Sequence, residues 1–516
     1  MADTLELVPD DSTAAAGDRG AEHVRIAIVG SGFAGLGMAI RLREAGIEDF
    51  VVLERADDVG GTWQANTYPG CQCDVPSHLY SFSFEPNPSW TRTYSRQPEI
   101  WEYLRACVDR YDLRSHLRLG HELTGATWDD ATQRWLVETR LGNFSASVVI
   151  DATGPLSHPA VPRIRGLGRF EGTLFHSAQW DHDHDLTGER VAVIGTGASS
   201  VQLVPRIQKK VGKLHVFQRT APWILPHSDR PTSRFERQLY RRVPLAQRLV
   251  RAAVYWSRES FVLGFAKRPR LARPAERLAL LHLRHQVGDR ALRRKLTPDF
   301  RLGCKRVLIS NEWYPTLTQP RVEVVTDGIS HIDGKRIVLA DGSSREVDTI
   351  ILGTGFHVTD PPTAHLVRGR GGVTLAEAAG TSPQAYLGST MPGFPNVFKI
   401  IGPNTGLGHS SMVFMIESQL AYVMDAIRTM DARGLASVDV RREAVQRYNA
   451  EVQAMMPGTV WSSGCASWYL DAQGNNTTLW PDFTFRFRKR TRHFDADNYE
   501  LRAAASASAS TEPAAA

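Results

Sequence analysis

Cysteine is scarce in this sequence: five among 516 residues, at positions 71, 73, 107, 304 and 465. An odd number of scattered cysteines argues against a disulfide framework and for reduced thiols in a cytosol. Cys71-x-Cys73 lacks the two-residue spacer of zinc sites and redox dithiols, and reads as two small residues in a tight loop. Long apolar runs are missing too. None approaches the roughly 18–20 residues of a spanning helix, so no integral membrane segment is expected. Residues 1–23 are acidic and small-residue-rich without a basic-then-apolar signal, and read as a disordered leader. The Ala/Ser-rich stretch 503–516 reads as a disordered tail, and the location as cytoplasmic. Histidines at helical H-x-x-x-H spacing are absent as well. His182 and His184, alternating with aspartates, therefore read as a turn entering a strand, and no metal is expected.

What is present is ordinary for a soluble globular chain: 42% hydrophobic and 22% charged residues. A chain this long needs two or three domains. Charge is uneven. Between Asp229 and Arg301 there are 19 Lys and Arg against 6 Asp and Glu, within a whole chain of net +6. The stretch has no recognisable nucleic-acid module and reads as a solvated helical surface; steering of an anionic cofactor is a secondary benefit.

Two glycine turns punctuate the chain. Gly30-Ser-Gly-Phe-Ala-Gly35 follows a strand-like run beginning at Val24 and precedes a helical run to about Ala45. Gly30 makes the turn, Gly32 lets backbone approach a pyrophosphate, and Gly35 lets the helix pack on its strand. Glu54 ends the next strand, 24 residues after Gly30, where a carboxylate accepts hydrogen bonds from ribose hydroxyls. The second turn is Gly195-Thr-Gly-Ala-Ser-Ser200, with Thr196, Gly197 and Ser199 inside it and Ser200 in place of the third small residue. Here Arg219, again 24 residues on and followed by Thr220, replaces the acid. A guanidinium pairs with a 2′-phosphate that a carboxylate would repel. FAD is thus assigned to the first turn and NADPH to the second.

Each turn is followed by strands and a small-residue T-G turn. Leu123–Trp128, Trp135–Thr139 and Phe144–Ile150 lead to Asp151-Ala-Thr-Gly154. Val322–Val325, Ile337–Ala340 and Thr349–Leu352 lead to Gly353-Thr-Gly355 and read as a second meander. The fold class expected is α/β, with two Rossmann-like dinucleotide-binding domains and an inserted helical subdomain. The first domain takes residues 24–157 and 357–502, the second 158–225 and 303–356, and the insertion 226–302. The insertion's apolar positions are expected to pack on the domain it caps; a membrane-surface helix is the lesser reading. A long helix from about Met412 to Arg433, capped by Ser410 or Ser411, would aim its positive end at the flavin.

Between the turns stands Phe170-x-Gly172-x-x-x-His176-x-x-x-Trp180-Asp181. This spacing resembles the fingerprint of type I Baeyer–Villiger monooxygenases, and the resemblance extends over roughly Val24–Phe494. It implies an NADPH- and O₂-dependent enzyme in which reduced FAD forms a C4a-peroxyflavin. That peroxide attacks a ketone, and rearrangement gives an ester or lactone. Arg306 would be the catalytic arginine, Asp74 its holder, and Lys305 a contact to the 2′-phosphate. Gly61, Thr62, Trp63, Tyr80, Leu123 and Met412 would fall at FAD contacts. His176 would act on domain geometry through a structural hydrogen bond.

A fixed cation suits this chemistry independently of any family, because arginine does not lose its proton in proteins. Rival readings are an N- or S-hydroxylating flavin monooxygenase, which would not need Arg306 or Asp74, and a non-catalytic flavin-binding protein. A disulfide reductase would need paired cysteines near the flavin. The particular ketone and the oligomeric state are not legible.

Overall fold

A computed structural model of the chain describes residues 20–465, 467–471 and 473–504. The expected leader and tail fall outside these residues except at their inner ends. There the structure corrects the boundaries: the first strand is Glu22–Val29, and the last, Tyr499–Ala503, includes Ala503. Pairing explains both, since Glu22 and His23 are in register with Phe144 and Ser145, and Ala503 with Leu435.

Glu22–Val29 lies between Phe50–Leu53 and Gly142–Asp151, parallel to both. Its centre, Ile26 to Ile28, is wholly buried, which is why it reads as an unbroken apolar run and not an alternation. Leu123–Asp129 and Arg134–Thr139 continue the sheet as an antiparallel meander. Val397–Lys399 pairs with Gly142–Asp151 and so returns the C-terminal part of the chain to this sheet.

The second sheet is parallel throughout. Its order is Val322–Val325, Lys213–Phe217, Arg190–Ile194, Thr349–Leu352, Thr173–His176. The expected second meander is therefore divided. Val322–Val325 and Thr349–Leu352 join this sheet, while Ile329–Asp333, Arg336–Leu339 and Ser344–Glu346 form a separate antiparallel ribbon. Burial separates the two kinds: Thr349–Leu352 is buried at every residue, whereas the ribbon is only half covered.

The long helix is Met412–Arg433. Ser411 caps it by accepting the Val413 N–H at 3.2 Å, and Gly434 closes it in the left-handed region at φ 58°. In the insertion the expected packing is met in part: Val262, Phe265, Leu283 and Val287 are buried in the core, and the Tyr255 ring stacks on Phe414 at 4.9 Å. The helix Pro244–Glu259 turns polar side chains, Gln247 and Glu259, into the protein and leaves Leu245, Leu249 and Trp256 in solvent. Partners decide the orientation: Gln247 Nε2 donates to the Asn87 carbonyl at 2.7 Å and Arg251 to the His78 carbonyl at 2.7 Å.

Cysteine brings a further correction. Cys304 and Cys465 form a disulfide, with Cα atoms 6.3 Å apart, where five reduced thiols were expected. The two are 161 residues apart and meet only because the C-terminal part folds back over the 303–306 loop. Cys71, Cys73 and Cys107 are free and buried. Among the described residues, no helix is long and apolar enough to cross a membrane.

Candidate active site

Both glycine turns open onto one cavity of about 1650 Å³. Every cofactor-contact and catalytic candidate lines it except Gly35 and Ser200. Those two pack instead: a Cβ at Gly35 would run into the Gly30 carbonyl, and Ser200 is fully buried beside Gly353. Gly30 and Gly195 both adopt positive φ, 102° and 111°, as the sharp strand-to-helix turn requires.

The cavity fits two dinucleotides on its own evidence. A Cβ at Gly197 would meet nothing within 4 Å, so the backbone there fronts open space at the start of the helix Ala198–Ile207. Oriented N–H groups at such a helix start favour a pyrophosphate. Ser410 Oγ is buried, lines the cavity and has no hydrogen-bond partner among the described residues, one residue ahead of the cap of Met412–Arg433. Glu54 is held at the first turn: its Oε2 accepts from Ser31 N at 2.9 Å and Ser31 Oγ at 2.7 Å, and its Oε1 from Ala56 N at 2.9 Å. Trp63 Nε1 donates to Tyr80 Oη at 3.1 Å, which fixes that wall.

At the second turn two cations converge. Burial and the neighbouring Arg219 charge both lower the Lys305 ammonium pKa. Among the described residues Arg219 has no carboxylate within ion-pair distance. Asp299 offsets the Lys305 charge only in part, and two like charges held close form a ready anion site.

Arg306 is the most constrained charge in the cavity. Its Nε donates to Asp74 Oδ2 at 2.8 Å and a terminal nitrogen reaches the same oxygen at 2.6 Å. The other terminal nitrogen donates to the Leu407 carbonyl at 3.2 Å. Asp74, outweighing burial, raises the guanidinium's already high pKa, so the charge is permanent. The side chain is 34% exposed, and it lines the cavity. Tyr469 faces the same charge; burial pushes its phenol up to about 12, with Arg306 opposing.

The fingerprint residues do not line the cavity. Thr173–His176 is the edge strand of the second sheet, and a Cβ at Gly172 would collide with the Asp348 carbonyl and the Phe170 ring. His176 Nδ1 accepts the Ala178 N–H at 3.1 Å, the ring also interacts with the Gly355 backbone, and it lies 5.8 Å from Phe356. Burial lowers its pKa. Trp180 packs edge-on to Phe175, and Asp181 accepts the Asp183 N–H. His182 and His184 go to Thr67 and to Glu189 with Thr349.

Sequence reasoning missed the lock between the two domains. Gln202, on the helix of the second turn, accepts from Tyr68 Oη at 2.9 Å and from Gln72 N at 3.2 Å, and donates to the Gln72 carbonyl at 2.8 Å. This clamp grips the loop that carries Asp74. A second lock is wholly buried: His409 Nε2 lies 3.3 Å from Glu259 Oε1, tying the insertion to the 402–411 loop. Neither lock has a spacing signature, because each joins elements far apart in the chain.

Comparison with known proteins agrees with this geometry. The pyridine nucleotide-disulphide oxidoreductase family model matches residues 27–236. That likeness is to the nucleotide-binding fold, since Cys71 and Cys73 are unbonded and neither Cys304 nor Cys465 lines the cavity. A Baeyer-Villiger monooxygenase of Streptomyces coelicolor is 52% identical over 482 residues, covering 93% of each chain. A steroid monooxygenase structure bound to NADP superposes with TM-score 0.81 at 32% identity, over 93% of this chain and 100% of that one. The structure of OTEMO with FAD and NADP gives TM-score 0.82 at 27% identity, over 93% and 99%.

Proposed function

Because the chain belongs to the Baeyer–Villiger monooxygenases, we propose that Arg306, fixed by Asp74, is the charge against which one oxygen atom is inserted beside a ketone carbonyl. The protein is an NADPH- and O₂-dependent flavin monooxygenase, with FAD and NADP(H) as its cofactors. When bound, the flavin supplies electron transfer from NADPH and the activation of dioxygen.

The chain's own residues do the rest. The first turn and Glu54 would hold FAD, with Gly61, Thr62, Trp63, Tyr80, Leu123 and Met412 as further contacts to it. Gly195–Gly197, Ser199 and Thr220 seat the second dinucleotide. Arg219 and Lys305 hold its 2′-phosphate and so select NADPH over NADH. Arg306 orients the ketone and stabilises negative charge developing on its oxygen. A guanidinium has five N–H donors. Three are occupied by Asp74 and Leu407, so two remain for the reacting oxygen. Preorganised donors of this kind are worth about 3 kcal/mol each. Asp74 aims the fork, and the lock of Gln202 on Gln72 keeps the Asp74 loop in register with the second domain. His176, Trp180 and Asp181 fix the edge strand beside the Gly353–Gly355 turn and do no acid–base work. We place the protein in the cytoplasm, where NADPH is regenerated.

The observation that carries this reading is the Arg306–Asp74 clamp inside the cavity shared by both turns. Mass spectrometry of products from cyclic, linear and aryl ketones with NADPH and O₂ tests it. Esters or lactones are expected from at least one class; N- or S-oxides from amine and sulfide controls, with no ester from any ketone, would contradict it.

A further inference from the structure

The helix Pro244–Glu259 carries a second apolar stripe, on its outward face. Its inward face is mixed and fixed: Gln247 and Glu259 are 4% and 1% exposed and hydrogen-bonded to the protein beneath, while Val254 and Tyr255 pack on the core, Tyr255 stacking on Phe414. Its outward face carries Leu245, Leu249 and Trp256, at 63%, 63% and 59% exposure. Their spacing of four and seven residues sets them in one stripe, with exposed Ala252 and Ala253 between. The stripe does not stop at the helix. Phe485, 40% exposed, brings its ring to 6.0 Å from that of Trp256.

Folding alone does not explain this face. Large exposed side chains are normal when scattered, but a contiguous patch marks a surface that something covers. Charge identifies the occupant. Residues 241–258 contain five arginines and no acid, and residues 486–492 contain five more basic residues and no acid. Some of these are neutralised within the chain, Arg488 by Glu417 and Arg490 by Glu451. Exposed Arg241, Arg242 and Arg248 have no carboxylate partner among the described residues. A second copy seated face to face would bring the two basic rims together, so the patch is ill suited to self-association. An anionic bilayer offers both what the stripe needs and what the rim needs: acyl chains beneath a negative surface.

We propose that the outward stripe of Pro244–Glu259, continued by Phe485, seats this protein on an anionic phospholipid surface. Contact is peripheral: the stripe enters the headgroup boundary and the arginines pair with lipid phosphates. The helix's inward face stays locked to the protein by hydrogen bonds and by the Tyr255–Phe414 stack, so the seat is rigid and preformed. This stands apart from the oxygenation chemistry and survives if the ketone reading fails.

The test is co-sedimentation of the FAD-loaded protein with large vesicles, either phosphatidylcholine alone or with roughly 30% phosphatidylglycerol, an anionic fraction that sets a substantial surface potential. Binding to the mixed vesicles should be at least about tenfold tighter and weaken with salt. Leu249→Ser with Trp256→Ser should cut it about tenfold again, leaving flavin content and NADPH oxidation unchanged. Equal binding to both vesicle types, or full binding by the double variant, would overturn the proposal. So would dissociation of a dimer by the same double substitution, or salt-sensitive capture of duplex DNA in place of vesicles.

Discussion

Replacing Arg306 by alanine removes two donors aimed at the reacting oxygen and a charge that cannot titrate away. Losing one such donor typically costs 10²–10³ in rate, about 3–4 kcal/mol. Arg306→Ala is therefore expected to slow oxygen insertion by about 10³-fold or more. Nothing in its contacts ties Arg306 to the NADPH 2′-phosphate side, so reduction of bound FAD should persist. The assay separates the two steps. Anaerobic rapid mixing with NADPH reads flavin bleaching, and ester formation is read by gas chromatography at saturating ketone. One complication is built into the structure: the substitution leaves Asp74 without its counterion, 25% exposed in the cavity wall. The double variant Asp74→Asn/Arg306→Met removes both charges and should be folded, yellow and equally inactive in insertion. Arg306→Lys keeps a charge without the fork and should fall between. If Arg306→Ala makes ester within about threefold of wild type, less than the loss of even one donor, the assigned role is wrong.

Four further outcomes are expected. Arg219→Ala should lower NADPH preference over NADH by about 10–100-fold, the worth of one charge-assisted contact; an unchanged ratio of kcat/KM values would contradict the assignment of the 2′-phosphate site. Gly197→Val should raise the KM for NADPH sharply with little change in Tm, because the new side chain enters open cavity; a large fall in Tm with normal NADPH kinetics would refute that. Denatured without reductant, the protein should show three titratable thiols, and five after reduction. Cys465→Ser should cost about 2–4 kcal/mol in unfolding, and reductant should then have no further effect. Five thiols without reductant would remove the tether.

Much of the architecture was legible because it rests on local rules. Buried parallel strands show as apolar runs, and a strand, a glycine turn and a charged residue 24 positions on occur twice. A cap at Ser410 or Ser411 was readable for the same reason, and the fold selects Ser411. Arg306 and Asp74 lie 232 residues apart, yet resemblance paired them, and the fold brings them to 2.6 Å. What escaped depended on partners that no spacing encodes. The stripe on Pro244–Glu259 is visible in the sequence, but its direction is set by Asn87, His78 and Thr484, which claim the polar side chains of the inward face. The Cys304–Cys465 bond and the Gln202 lock are likewise products of the return of distant segments. The second meander was misread because a short apolar run is compatible with either kind of sheet.

This protein places an atom of dioxygen next to a carbonyl carbon at the expense of NADPH. Turnover of an accepted ketone under isotopically labelled dioxygen tests it most directly. Incorporation of one heavy oxygen into each ester molecule, with one NADPH consumed per product, is the predicted result. Steady NADPH consumption with no label in any carbonyl product would contradict the account.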